Sequence, residues 1–292
     1  NPGSNLSPAA VERYDVRVAP QRFIVDDTEQ DTRAPISFAE IDGWVSRAKE
    51  HPYVVGTTAA ELAVVFREAA RDDPEILAVM TSKKIIKSFD AAQSAARTVR
   101  PPPGASPPRI EVVDSGSTDV GPGLATIMAG EATREGRSLD DCVALVEAFA
   151  RASRFVLTVA SLDWLVKGGR ASALRAWLAN ILHVKPLIGF VDGELEPVGK
   201  LGRRDDPAEG VAGYLERELG SGRRVWAAIS HGDDPMKARL VAAELRKRLQ
   251  VDYLYLRPIS PSIYLHTARG SVTACAVPVD ELPFVPPIPP EL

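Results

Sequence analysis

The chain has 292 residues, 45% of them hydrophobic, and a formal net charge of -4 at pH 7. That length exceeds the usual single-domain size, and the apolar content is ample for two cores, so two compact domains are expected. Basic and acidic residues are interspersed without a sustained basic stripe, which argues against nucleic acid or an anionic membrane surface as the main partner.

No apolar run approaches the roughly 18 residues of a membrane span. The opening residues have neither a basic nor an apolar leader region, and a cytoplasmic location is expected. Cys142 and Cys275 lie in apolar segments and are read as buried thiols rather than a disulfide, with no metal-ligand cluster around them.

In chain order, short β-branched and apolar runs at Arg22 to Val25, Ile76 to Met80 and Ile110 to Val113 alternate with amphipathic stretches. These stretches are "TTAAELAVVFREAARD", "FDAAQSAARTV" and "SLDDCVALVEAFARAS". Such alternation predicts a mostly parallel sheet with helices on its faces. Thr58 with Glu61, and Ser138 with Asp141, have the spacing of capping boxes. "RPPPGASPPR" is a proline-rich surface loop before the next strand.

After about residue 152 the pattern changes. "FVLTVAS", "KPLIGFVDG", "ELEPVGKL", "VWAAISHG", "YLYLRPIS" and "SVTACAVP" are six strand candidates, and Asp192-Gly193 is a hairpin signal between two of them. The second half is therefore expected to hold a mixed sheet. The domains are drawn at 1–152 and 153–292, and the proline-dense tail "VDELPFVPPIPPEL" is expected to run extended over the surface.

Three hydroxyl-bearing segments fall at strand ends: Thr57-Thr58, Thr81-Ser82, and Val113 to Gly123 with Ser115 at its start. Beyond the carboxyl ends of strands in α/β sheets, such groups and the following helix starts suit an anionic head group. In "LDWLVKGGRAS", Gly168 and Gly169 can end a short helix, leaving Arg170 beside flexible backbone; a tight turn, a phosphate cradle and a docking surface all fit this pattern.

His231 precedes a helix opened by Asp233 or Asp234 with Pro235 in its first turn, which reads as a capping loop. His266 and Thr267 are expected in a loop facing a ligand, whereas His51 and His183 read as structural or solvated. No nucleophile elbow and no paired carboxylates in an apolar setting occur. Donors without an evident base point to binding rather than turnover.

The order "VDSGSTDVGPG", "SLDWLVKGGRAS", "NILHVKPLIGFVDGELEPVGKLGRR", "ISHGDDP" and "ISPSIYLHTARGSV" resembles the DegV family of bacterial fatty-acid-binding proteins over nearly the whole chain. "LDWLVKGGR" and "LHVKPLIGFVDG" are the most specific segments, close to "LxYLKKGGRI" and "LNIKPIL". The resemblance implies a two-domain α/β fold, with a mostly parallel three-layer N-terminal domain and a C-terminal domain with a mixed sheet.

It also implies a non-catalytic protein without cofactor, holding one long-chain fatty acid in an apolar tunnel between the domains and presenting its carboxylate to a partner fatty-acid kinase. The fatty-acid-binding residues are then Thr58, Ser82, Ser115, His266 and Thr267. Gly168, Gly169 and Arg170 form a turn for partner or head-group recognition. The alternative is a degenerate member that serves as a structural or protein-interaction module without lipid.

Several positions depart from the family pattern. The family's opening buried strand has no counterpart before "NPGSNLSP", and Tyr53 and Val54 stand where threonines are usual. "TSKKIIKSFDAAQSA" is roughly four residues longer than the usual "SSxxSGTYQSA" and brings Lys83, Lys84 and Lys87. "HTARG" replaces "HTGPG" and introduces Arg269.

Overall fold

The computed structural model describes residues 1–32, 34–101, 106–169, 184–191 and 193–292. All six strand candidates of the second half form one mixed sheet: β6 (Arg154–Thr158), β7 (Lys185–Val191), β8 (Glu194–Leu201), β9 (Arg224–His231), β10 (Gln250–Pro258) and β11 (Val272–Pro278). Their order across the sheet is β10-β9-β11-β6-β7-β8. Within this sheet, among the described residues, only the β10/β9 pair is parallel. The hairpin signal joins β7 to β8, with Val191 opposite Glu194 and Gly193 at φ +81°; Asp192 lies outside the described residues.

Both faces of this sheet are covered, because successive strand residues point to opposite sides. Val225, Ala227 and Ile229 of β9 and Ala274 and Ala276 of β11 pack under α8 (Pro207–Leu219) and α9 (Pro235–Arg248). Trp226, Ala228, Cys275 and Val277 turn the other way, onto α5 (Val120–Arg134) and α6 (Leu139–Ala152). Both cysteines are free and buried. Desolvation pushes the Cys275 thiol up to about 12.

The first half holds α1 (Pro8–Arg13), β1 (Arg22–Val25), β2 (Thr28–Glu29), α2 (Phe38–Arg47), β3 (Tyr53–Val55), α3 (Ala59–Asp72), β4 (Glu75–Met80), α4 (Ser88–Thr98) and β5 (Arg109–Asp114). The expected parallel pairing is present between β4 and β5. β1 instead joins β2 and β3 in a separate antiparallel ribbon. The Thr58/Glu61 and Ser138/Asp141 capping boxes form as their spacing predicts, and Ser37 with Glu40 makes a third on α2.

Helices α5 and α6 are the shared wall of the molecule. Val79 of β4 and Val113 of β5 belong to the same apolar cluster as Leu124, Met128, Leu145 and Phe149 of these helices and Phe155, Ile188 and Trp226 of the large sheet. Burial of α5 on nearly every side explains its weak amphipathic signal. The ribbon and α2 dock elsewhere: Phe23, Ile41 and Trp44 pack with Ile259, Tyr264, Leu265 and Trp164, around α10 (Pro261–Thr267) and α7 (Asp163–Lys167). The Tyr264 hydroxyl donates to Asp42 Oδ1 at 2.9 Å.

Candidate functional site

Strand ends and helix starts gather the candidate residues into three groups. In the first, Ser82 follows β4 and Ser115 follows β5. The Ser115 N–H donates to Met80 C=O at 2.9 Å, and the Ser82 N–H donates to Ser117 C=O at 2.8 Å. The Ser82 hydroxyl donates across to Gly193 C=O at 2.9 Å, tying the first half to the β7–β8 hairpin. Beside it Lys84 Nζ lies 3.6 Å from Glu194, an exposed pair that contributes at most about 1 kcal/mol.

The second group surrounds α10. His266 and Thr267 sit in the last turn of this helix, not in the loop expected from the sequence, because Ser260 at the N-cap and Pro261 at the first position start a helix there. The Thr267 hydroxyl donates to Ile263 C=O at 3.0 Å and lies 3.1 Å from Ser271 Oγ. The loop after α10 places Arg269 between Asp42, at 3.5 Å, and Asp233.

Of the two glycines that follow α7, only Gly169 takes the left-handed conformation, at φ +72°. Gly168 is needed for a different reason. A Cβ there would fall 2.4 Å from His266 Nδ1 and 2.9 Å from Trp164 C=O, so its missing side chain is what lets the turn reach His266. Arg170, the other residue predicted at this turn, and His183 lie outside the described residues.

Thr58 belongs to the third group. As the α3 N-cap its hydroxyl accepts from the Glu61 N–H at 3.3 Å, and it donates to Glu61 Oε2 at 2.7 Å. It also lines a cavity of about 370 Å³ with Gly56, Thr57, Ile85, Ile86, Lys87, Ser88 and Ala91. Ser88 carried no signal in the sequence, standing just before the amphipathic stretch "FDAAQSAARTV".

A bridge between groups runs through the first residues. Thr81 Oγ1 donates to Asn1 Oδ1 at 3.1 Å, and a Cβ on Gly3 would lie 3.6 Å from Thr81 Oγ1 and 3.9 Å from Ser262 Oγ. The end of β4 and the start of α10 therefore meet around Gly3. Beneath them Asp119, fully buried at φ +52°, accepts from Asn5 Nδ2 and the Ser260 N–H, each at 3.0 Å, from Thr273 Oγ1 at 3.1 Å, and from Ser230 Oγ. Burial raises its pKa, and these donors oppose the shift. No local pattern could have found this hub, since its partners lie more than a hundred residues away.

His51 Nε2 donates to Leu265 C=O at 2.8 Å, and His231 Nδ1 accepts from the Asp234 N–H at 3.2 Å, with Asp234 as the α9 N-cap. Burial lowers the pKa of both rings from 6.5. The unfolded chain therefore takes up protons first on acidification, and stability present above about pH 6.5 is lost as the pH falls toward the folded values. The melting temperature is expected to drop between pH 7.5 and 5.5, and His231→Gln with His51→Gln to flatten that slope. An unchanged slope in the double variant would assign the effect to other groups.

A further cavity of about 380 Å³ lies within the first half rather than between the halves, bounded by Leu62 and Phe66 of α3, Leu77 and Val79 of β4, and Ala129 and Thr133 of α5. Among the described residues no group of three or more His, Cys, Asp or Glu could hold a metal, and no helix is long and apolar enough to cross a membrane.

The DegV family model, described as "Uncharacterised protein, DegV family", matches residues 3–279. This chain belongs to the DegV family. A DegV domain-containing protein of Mycobacterium tuberculosis is 32% identical over 231 residues, 78% of this chain and 79% of the relative. A solved DegV-family protein from Thermus thermophilus, described for its fatty acid binding, is 25% identical with a TM-score of 0.84, covering 94% of this chain and 96% of that one. DegV of Bacillus subtilis, a fatty acid binding protein, superposes with a TM-score of 0.79 at 20% identity, over 94% and 96% of the two chains. The two-domain DegV architecture thus accounts for the mixed sheet and its helical layers.

Proposed function

We propose that this DegV protein is a non-catalytic carrier that binds one long-chain fatty acid between its parts, drawn at 1–152 and 153–292, and presents the carboxylate to a partner kinase. The likeness to the Thermus protein, through almost the full length of both chains, carries the reading. Two contacts along α10 support it: the end of β4 meets the start of that helix around Gly3, and the turn after α7 reaches His266 in its last turn, which brings candidate polar groups from both halves onto one helix. In this reading Ser82, Ser115, His266 and Thr267 stand around the head group, Thr58 lines its approach, and Arg170 with Gly168 and Gly169 is the partner-facing turn. Each buried methylene of a tail would contribute about 0.8 kcal/mol.

Two observations favour the interaction-module alternative. The Ser82 hydroxyl is engaged with Gly193, and Tyr53 and Val54 bring no hydroxyl on an aliphatic side chain. Native mass spectrometry of the purified chain separates the readings. A carrier should leave the cell with an added mass matching a fatty acid that denaturation releases. Protein that is free of lipid and that also fails to take up added oleate would leave the module reading.

A further inference from the structure

Helix α4 begins without a side-chain cap: Lys87 occupies the N-cap, and no side chain accepts from the first turn. The Ala91 N–H closes that turn on Lys87 C=O, so by helix geometry the N–H groups before it have no helical acceptor, and they carry the positive end of the dipole. A helix start alone would not make a site. Ser88, however, is only 2% exposed, its hydroxyl has no hydrogen-bond partner, and it lines the 370 Å³ cavity.

A buried hydroxyl left unsatisfied is unfavourable, so a ligand atom that meets it is favoured there. Gly56 faces it: a Cβ there would come within 3.3 Å of Ser88 Oγ and 3.4 Å of Ile86 Cδ1. The exposed Lys87 stands at the rim, and Lys83 lies over the Phe89 ring at 5.6 Å. Asp90, exposed, is the acidic residue of that first turn, and the Glu61 carboxylate, held 2.7 Å from the hydroxyl of the lining residue Thr58, is a second negative charge beside the cavity.

We propose that the start of α4, with Ser88 Oγ, its first-turn N–H groups and Lys87 over Gly56, is an oxyanion seat taking a carboxylate or a phosphate. Ser88 rather than Ser82 then supplies the hydroxyl from the lengthened loop. The carboxylate arm rests on the fatty-acid reading above; the phosphate arm does not.

The test uses the delipidated full chain, titrated by calorimetry with oleate and separately with inorganic phosphate. Ser88→Ala should weaken binding of whichever anion the seat takes by about ten-fold or more. Asp90→Asn should tighten it by about two- to five-fold, the sign expected for removing a like charge from a helix start. Gly56→Ala gives a second route to loss by crowding the hydroxyl, and melting curves establish that each variant is folded.

Loss of both anions in Ser88→Ala supports a shared seat, and loss of oleate with no phosphate binding supports a lipid head-group seat. Ser88-dependent phosphate binding without oleate binding keeps the seat and removes the lipid reading. Oleate binding unchanged in Ser88→Ala overturns the seat while the carrier survives, and a wild type that binds neither anion overturns both.

Discussion

Gly168→Ala is expected to lower oleate affinity at least ten-fold and to destabilise the fold by about 1 to 3 kcal/mol, the range for overpacking a tight contact. The added methyl would stand 2.4 Å from His266 Nδ1 and 2.9 Å from Trp164 C=O. Neither can yield easily, since His266 is buried in the last turn of α10 and the carbonyl is backbone. Gly169→Ala provides the contrast: it meets nothing within 4 Å but must hold φ +72°, a strain of about 1 to 2 kcal/mol. It should therefore lower stability and leave affinity nearly intact. Equal affinities for wild type and Gly168→Ala would show that the approach of this turn to His266 has no part in binding.

Asp119→Ala should be strongly destabilising in urea unfolding, by about 1 to 3 kcal/mol for each buried donor left unpaired, because it removes the acceptor shared by four separate segments. The Ser260 N–H loses its partner, while Asn5 keeps Pro258 C=O and the Ser230 and Thr273 hydroxyls keep each other. Asn5, Ser230, Ser260 and Thr273 all converge on that carboxylate. Asp119→Asn should lose less. It keeps the shape, the serine and threonine hydroxyls can rotate to accept, and the desolvation that raises the Asp119 pKa is relieved when the charge is removed. A smaller loss in Asp119→Ala than in Asp119→Asn would contradict the hub. Since Ser260 opens α10, oleate affinity should fall along with stability in Asp119→Ala.

What could be read in advance follows from how local each signal is. The six strands of the large sheet announce themselves because apolar runs such as "VWAAISH" and "VTACAVP" are buried on both faces and need no partner to be recognised. The capping boxes at Thr58 and Ser138 are equally local. The pairing of β1 with β3 is not, because α2 separates them and three residues of "YVV" carry little pattern.

The α10 helix was legible in principle, since Ser260-Pro261 is a helix start, but seven residues ending in "HT" read more readily as loop. Ser88 and Asp119 were beyond reach for a physical reason. What distinguishes them is an unmet or shared hydrogen bond, and that depends on residues brought together only by the fold.

The position of β11 bears on how the chain is made. β11, the latest in chain order of this sheet's strands, is inserted in the middle of the sheet, between β9 and β6. Until residue 278 has emerged, the facing edges of those two strands lack the ladder that β11 supplies, and the inner faces of α5 and α6 lack Cys275 and Val277. At about 5 to 20 residues per second the nascent chain holds this open seam for several seconds after β6 appears. An exposed strand edge invites wrong pairing during that interval. Until β11 arrives, pairing at this seam with any other strand competes with native folding.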